Sequence, residues 1–221
     1  CCSPERALAA GAVPRHNARM NSPAPLPAAA VANPPSCHRR EPVWRAASRL
    51  QRREVPEREL RWLLDPASLT RRLTAACSGR FTVEVLAQGW VRPLYNEVHA
   101  LGLRAGAHVL LREVYLLCDG VPWVYARTAI PRETLTGRHR RLAYLKTRPL
   151  GAMLFADPGM ARGPVEVTGL SPCDRLYPAA TRRLPAPPPR VWGRRSLFRL
   201  DGKPLLVSEF FLPGIPSCLP P

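Results

Sequence analysis

A lone acid interrupts the apolar face of the last predicted strand. Counted by the two-residue period of a strand, Glu209 shares its face with Leu205, Val207 and Phe211. An ionised carboxylate is costly to bury without a partner, so we expect Glu209 to be paired, protonated or directed into a ligand cavity. An exposed sheet edge, or a purely structural ion pair with an arginine, is the alternative that this pattern leaves open.

A basic residue interrupts an earlier apolar run, VLLREVYLLC, in the same way. The face that carries Arg112 also contains Leu110, Val114, Leu116 and Cys118. A buried guanidinium favours a bidentate anion, which is either a protein carboxylate with a structural role or the carboxylate of a ligand. Arg127, on the following strand, is a weaker candidate of the same kind, and a surface charge is its alternative.

These strands belong to two predicted hairpins. The runs VLLREVYLLC and VPWVYARTAIP flank Asp119-Gly120, and WGRRSLFRL and KPLLVSEFFLP flank Asp201-Gly202. Asp-Gly can supply the positive φ angles of a tight hairpin turn. Helical patterns fall in separate stretches, at residues 57–73, 133–145 and 149–155. This segregation predicts a single α+β domain, with an antiparallel sheet of about six strands and helices packed against it.

Composition divides the chain into three parts. Residues 1–54 are rich in Pro, Ala and Arg and are predicted to be a disordered extension. Residues 55–215 are the predicted catalytic domain, and residues 216–221 are a tail. Within the domain, residues 171–190 are predicted to be an exposed, proline-rich insertion without catalytic residues.

The charge of the chain is strongly positive, with 33 Lys and Arg against 16 Asp and Glu and a net charge of +17. Lys146 and Lys203 are its lysines, so this excess is typical of a coding bias toward Arg, and no nucleic-acid-binding motif accompanies it. We therefore expect no nucleic-acid partner. No apolar run approaches a membrane span, so we expect no stable membrane insertion. We also expect a cytoplasmic location and a monomeric state.

Cysteine and histidine spacing gives no positive signal for a disulfide or metal site. The seven cysteines include no Cys-x-x-Cys pair, and the five histidines show no metal-ligand spacing. The glycines form no phosphate loop, and the serines lack the context of a hydrolase nucleophile. The sequence therefore predicts no disulfide scaffold, no metal and no cofactor.

Four segments in a fixed order carry a family resemblance: WLLDPASLTRRL, LLREVYLLCDGVPWVYARTAIP, LKTRPLGAMLF and WGRRSLFRLDGKPLLVSEFFLP. In this order they resemble the bacterial chorismate pyruvate-lyases, over residues 57–213. The resemblance implies a single domain with an internal pocket beneath helical flaps. It also implies cofactor-free removal of pyruvate from chorismate, which leaves 4-hydroxybenzoate and is the first committed step of ubiquinone biosynthesis.

The resemblance also implies roles for individual residues. Arg112 would bind the ring carboxylate of chorismate, and Glu209 would bind the ring hydroxyl at the opposite end. Backbone groups of Leu69 and Leu150 would contribute two further contacts, and Arg127 would hold the enolpyruvyl carboxylate. Leu69 replaces the Met of the best-known relatives, a change that a main-chain contact tolerates.

Two other functions remain as alternatives. The first is a non-catalytic sensor of aromatic acids with the same fold, which would need a DNA-binding module that the segment before Val55 does not resemble. The second is a basic nucleic-acid-binding protein, which only the net charge suggests.

Overall fold

An antiparallel sheet forms the centre of the protein, which we describe from a computed structural model covering residues 40–217. Within that range the strands are β1 (Arg45–Ala46), β2 (Phe81–Val91), β3 (Val109–Cys118), β4 (Val121–Pro131), β5 (Met160–Arg162), β6 (Glu166–Leu170), β7 (Val191–Leu200) and β8 (Lys203–Phe211). Their order is β1-β6-β7-β8-β4-β3-β2, and β5 also pairs with β7. The described part therefore has eight strands rather than about six. Two of them, β1 and β5, have only two and three residues, too few for a periodic signal.

Both predicted hairpin turns are confirmed. Asp119 and Gly120 have φ angles of 48° and 77°, and Asp201 and Gly202 have φ angles of 50° and 80°. The residues that flank each turn are paired directly, Cys118 with Val121 and Leu200 with Lys203. The Asp201-Gly202 pair thus sets the register of β7 with β8 along the whole hairpin. Between β3 and β4 the turn register holds only as far as Leu117, because an irregularity between Leu116 and Leu117 shifts the pairing by one residue and places Arg112 opposite Thr128.

Helices cover the two faces of the sheet. The α-helices are α1 (Glu57–Leu64), α2 (Leu69–Ala76), α3 (Tyr95–Leu101), α4 (Leu150–Phe155) and α5 (Tyr177–Thr181). The segment predicted as a helix at 133–145 forms two 3-10 helices, Arg132–Thr134 and Gly137–Tyr144, and the second begins at Gly137 with a φ angle of 54°. The α+β class predicted from the sequence is confirmed.

Apolar packing gives each face its own core. On one face, α1 and α2 pack on the middle of β3, β4 and β8, and α4 packs beside them on β7 and β8. On the other face, Leu176, Tyr177 and Ala180 of the α5 region pack against Tyr115, Tyr125 and Phe210 of the sheet. The face under α2 and α4 is the one that matters for the site.

Order begins before residue 55, where the composition predicted disorder. Arg45 of β1 pairs with Val167 of β6, and Arg40 forms a bridge with Asp174. Short strands that pair with distant partners leave no mark in local composition. Residues 1–39 of the predicted extension, and residues 218–221 of the predicted tail, lie outside the described residues.

The proline-rich insertion at 171–190 is not simply exposed. It contains α5, in which Tyr177 and Ala180 are buried, and Tyr115 donates a hydrogen bond to the Ala179 carbonyl at 2.6 Å. The prediction failed because the few apolar residues between the prolines form one packed face.

A disulfide joins Cys77, directly after α2, to Cys118 at the end of β3, with 5.7 Å between their Cα atoms. Spacing along the chain predicted no disulfide scaffold, whereas strand β2 brings these two cysteines together. None of the helices in residues 40–217 is long and apolar enough to span a membrane.

Candidate active site

Strand register places Arg112 and Glu209 on the same face of the sheet. Arg112 of β3 lies opposite Thr128 of β4, and Thr128 lies opposite Val207 of β8. Glu209 is two residues beyond Val207 and therefore points the same way. Strand spacing and rise put the two Cα atoms about 12 Å apart, diagonally across three strands. Side chains that converge from these positions can hold the two ends of one aromatic ring.

A narrow cavity of about 40 Å³ lies between this face and the two covering helices. Its lining consists of Leu69, Thr70, Arg112, Val114, Leu116, Ala126, Thr128, Leu150, Gly151, Leu154, Phe155, Phe198, Val207 and Glu209. The strands form its floor, and α2 and α4 form its roof. Apolar walls with a few polar groups at separate points are typical of a small-molecule site.

Arg112 is a buried cation at one end of the cavity. Its side chain is enclosed (residue exposure 3%), and Nη2 donates to the carbonyls of Lys146 and Arg148 at 2.8 and 3.2 Å. Its Nε has no hydrogen-bond partner among the described residues. Burial lowers the pKa of Arg112, and no carboxylate of the described chain forms a salt bridge with it. This arrangement can receive the carboxylate of a ligand.

Glu209 is the acid at the other end of the cavity, and it has a protein partner. Arg194 of β7 lies opposite it in register and donates from Nε to Glu209 Oε2 at 2.7 Å. The guanidinium is 2% exposed, while the Glu209 side chain remains 19% exposed. One carboxylate oxygen is thus occupied, and the cavity side of the group can accept a further hydrogen bond.

Leu69 and Leu150 are the first residues of the two roof helices, and both line the cavity. Amide groups at the first position of a helix have no acceptor within the helix. Neither helix has a side-chain cap. The main-chain contacts expected at these two positions are therefore geometrically possible.

Arg127, in contrast, lies on the opposite face of the sheet. It is paired in register with Glu113 and Ser208, donates to both oxygens of Glu97 at 2.7 and 3.0 Å, and donates to Glu113 at 2.7 Å. Burial by itself would lower the pKa of Arg127, but the hydrogen bond and charge of Glu97, with the charge of Glu113, leave it raised. The prediction that Arg127 holds the enolpyruvyl carboxylate is wrong, because Arg127 faces away from the cavity and its carboxylate partners, Glu97 and Glu113, belong to the protein.

The sequence pattern missed Arg194 as a neighbour of the site. Arg194 and Arg195 are consecutive, so one points to each face of β7. Arg195 donates to Glu166 at 2.7 Å on the face away from the cavity. The signal available in the sequence was this arginine pair inside β7 together with the Asp201-Gly202 turn, whose register places Arg194 opposite Glu209.

The described residues include no group of three or more His, Cys, Asp or Glu side chains that could hold a metal ion. The polar groups of the cavity are guanidinium, carboxylate, hydroxyl and main-chain amide. They can bind a small carboxylic acid that carries a hydroxyl group at its far end.

Known proteins resemble this chain over most of its length. Residues 39–217 match the model of the chorismate lyase family. A probable chorismate pyruvate-lyase of Aromatoleum aromaticum is 48% identical over 169 residues, which cover 74% of this chain and 89% of that protein. A probable chorismate pyruvate-lyase of Methylococcus capsulatus is 44% identical over 156 residues, which cover 71% of this chain and 95% of that protein.

Among solved structures, the C-terminal domain of PhnF aligns with a TM-score of 0.50 at 17% identity, covering 65% of this chain and 89% of that one. At this identity the similarity concerns the fold alone. The family match over residues 39–217 and the relatives above 40% identity go further: this chain belongs to the chorismate lyase family.

Proposed function

We propose that this chain is a chorismate pyruvate-lyase that converts chorismate into 4-hydroxybenzoate and pyruvate. One observation carries the proposal: Arg112, a buried arginine without a carboxylate partner in the described chain, lines the same narrow cavity as Glu209. A buried cation of this kind requires an anion, and the ring carboxylate of chorismate would supply it.

Each end of the ring has a binding group in this proposal. Arg112, with the main-chain amides of Leu69 and Leu150, binds the carboxylate, and Glu209 accepts a hydrogen bond from the ring hydroxyl. The apolar walls, including Leu154 and Phe198, pack on the ring between them. Fixing both ends of the ring restricts the substrate to a reactive conformer.

The reaction needs few further groups. The C3–O bond of the enolpyruvyl ether breaks, and the hydrogen on C4 moves to the enolpyruvyl methylene carbon, which becomes the methyl group of pyruvate. The ring becomes aromatic, which drives the elimination, and the overall reaction involves no net oxidation or reduction. Because this chemistry balances without an oxidant or a metal, we propose that the activity is cofactor-free.

A turnover assay tests the proposal. Purified protein given chorismate, with EDTA and without nucleotide, is expected to release equal amounts of 4-hydroxybenzoate and pyruvate. Arg112→Ala and Glu209→Ala should each lower kcat/KM at least a hundredfold, since each leaves a buried or substrate charge unpaired. Arg199→Ala, which removes an exposed arginine of β7, is the control and should keep full activity.

Two outcomes would count against this assignment. Normal pyruvate release by both cavity variants would refute the site. Tight binding of 4-hydroxybenzoate without any turnover of chorismate would instead favour the sensor alternative. Supply of a ubiquinone precursor and a cytoplasmic, monomeric state are part of the proposal, and they rest on the family resemblance alone.

A further inference from the structure

Arg194 is a buried arginine that connects the floor of the cavity to the end of α1. From β7 it reaches Glu209 through Nε, and its Nη1 donates to the carbonyls of Trp62, at 2.8 Å, and Asp65. Its guanidinium also lies over the Phe211 ring, 5.7 Å from the centroid. Every one of these contacts lies on the cavity side of the sheet.

The contact with Glu209 constrains the carboxylate group. A hydrogen bond at 2.7 Å from a side chain that is 2% exposed fixes Oε2 against the sheet. The remaining oxygen is then directed by the rigid plane of the carboxylate rather than by rotation of the side chain. A positioned acceptor binds a hydroxyl more tightly than a freely rotating one, because less conformational entropy is lost on binding.

The contacts with Trp62 and Asp65 hold the end of α1, from which the chain leads into the roof helix α2. These carbonyls lie in the last turn of α1 and directly after it, a few residues before Leu69, where α2 begins and lines the cavity. Carbonyls at a helix C-terminus lack intrahelical donors, and Arg194 supplies donors to both. The same guanidinium therefore fixes the Glu209 carboxylate and the end of α1, from which the chain continues into the roof helix α2.

We propose that Arg194 is a positioning residue that holds Glu209 for the ring hydroxyl of the substrate. This inference rests on the proposed function, because it assumes that Glu209 meets that hydroxyl. Its main consequence concerns selectivity: Arg194 should control recognition of the hydroxyl end of the ligand and leave recognition of the carboxylate end to Arg112.

The test compares two ligands that differ only at the hydroxyl end, 4-hydroxybenzoate and benzoate. The wild-type protein is expected to bind 4-hydroxybenzoate about ten- to a hundredfold more tightly than benzoate, the range for a hydrogen bond to a charged group. In Arg194→Gln this ratio should fall to about threefold or less, with the affinity for benzoate nearly unchanged. Arg194→Lys retains the buried charge and folds more readily, and it should give an intermediate ratio.

Arg195→Gln is the matched control. Arg195 is the neighbouring buried arginine of β7, and it also pairs with a glutamate, Glu166, but on the opposite face. Its loss should cost comparable stability while leaving the ligand ratio at the wild-type value. A double variant, Arg194→Gln with Glu209→Gln, should have the same ratio as Glu209→Gln alone, since both changes remove one interaction.

The outcomes separate this inference from the proposed function. If both Arg194 variants keep the wild-type ratio, or lose affinity for the two ligands equally, Arg194 has only a structural role. If the wild-type protein shows no preference for 4-hydroxybenzoate, the inference fails together with the assignment of Glu209. If the preference exists and depends on Arg194 while chorismate is not turned over, the inference holds and the proposed activity fails.

Discussion

Two buried arginines on neighbouring strands show why burial alone does not identify a ligand site. Arg112 and Arg127 are 3% and 7% exposed. Arg127 has carboxylate partners in Glu97 and Glu113, whereas Arg112 donates to the main-chain carbonyls of Lys146 and Arg148 and to no carboxylate of the described residues. Burial lowers the pKa of Arg112, while the carboxylates leave that of Arg127 raised. An uncompensated buried charge is the feature that points to an anionic ligand.

Removing Arg127 should therefore affect stability rather than ligand binding. Arg127→Ala leaves the nearly buried carboxylates of Glu97 and Glu113 unpaired, so the free energy of unfolding should fall by about 3 to 5 kcal/mol. Urea unfolding followed by tryptophan fluorescence measures this loss, with Arg199→Ala as the exposed control. A variant that keeps its stability but loses chorismate turnover would restore a direct substrate contact for Arg127.

At the scale of elements, the roof over the cavity depends on how closely α2 and α4 approach each other. A Cβ atom on Gly151 would lie 2.6 Å from Thr70 Oγ1, so a larger residue at this position requires the Thr70 side chain or its helix to shift. Thr70 and Phe155 line both the cavity and an open groove between the helices. A ligand that enters from the groove must pass this contact.

Gly151→Ala should consequently weaken the closure of the roof. The added methyl forces Thr70 to change its position or the helices to separate, and we expect 4-hydroxybenzoate to dissociate about tenfold faster, measured by stopped-flow displacement. Thr70→Ala in the same chain removes the clashing oxygen and should restore most of the slow release. Unchanged release from Gly151→Ala would show that closure does not depend on this contact.

The disulfide between Cys77 and Cys118 holds the far end of α2 to the sheet. It joins two residues with a sequence separation of 41. A cross-link of this length lowers the chain entropy of the unfolded state, which stabilises the fold by about 4 kcal/mol at most. Cys77→Ser and Cys118→Ser should each lower the free energy of unfolding by about 2 to 4 kcal/mol, measured without reductant. The double variant should equal either single one, and clearly additive losses would indicate that the two thiols act separately.

At the scale of the whole molecule, the sequence carries a net charge of +17 and the substrate proposed for it is a dianion. A positive field raises the rate at which an anionic ligand reaches its site, and salt screens this effect over a Debye length of about 10 Å at 0.1 M. The charge then concerns the rate of substrate capture and is independent of nucleic-acid binding.

We expect kcat/KM for chorismate to fall several-fold between about 10 mM and about 200 mM salt. The neutral ligand 4-hydroxybenzamide is the control, because its association rate should hardly change over the same range. A kcat/KM that does not depend on salt would show that the arginines outside the cavity do not contribute to substrate capture.

Local sequence determined the features that depend on neighbouring residues. The two-residue period of a strand assigned Arg112 and Glu209 to apolar faces, and the Asp201-Gly202 pair set the register of β7 with β8, because pleat and turn geometry are local properties. The register of β3 with β4 departs from that of its turn by one residue beyond Leu117. The α+β class followed from the segregation of strand and helix patterns. Short strands such as β1, and the packed face of α5, escaped prediction because they are stabilised by distant partners.

Tertiary structure alone decided which charges meet. Arg127 pairs with Glu97 of α3, and Cys77 joins Cys118 across β2; the pair of Arg194 and Glu209 is the exception, because the Asp201-Gly202 turn sets its register. Each partner lies on another element, and the face of the sheet on which they meet depends on how those elements pack. Periodicity can show that a charge is buried, but only the folded chain supplies or withholds its counter-charge, and that difference separates Arg112 from Arg127.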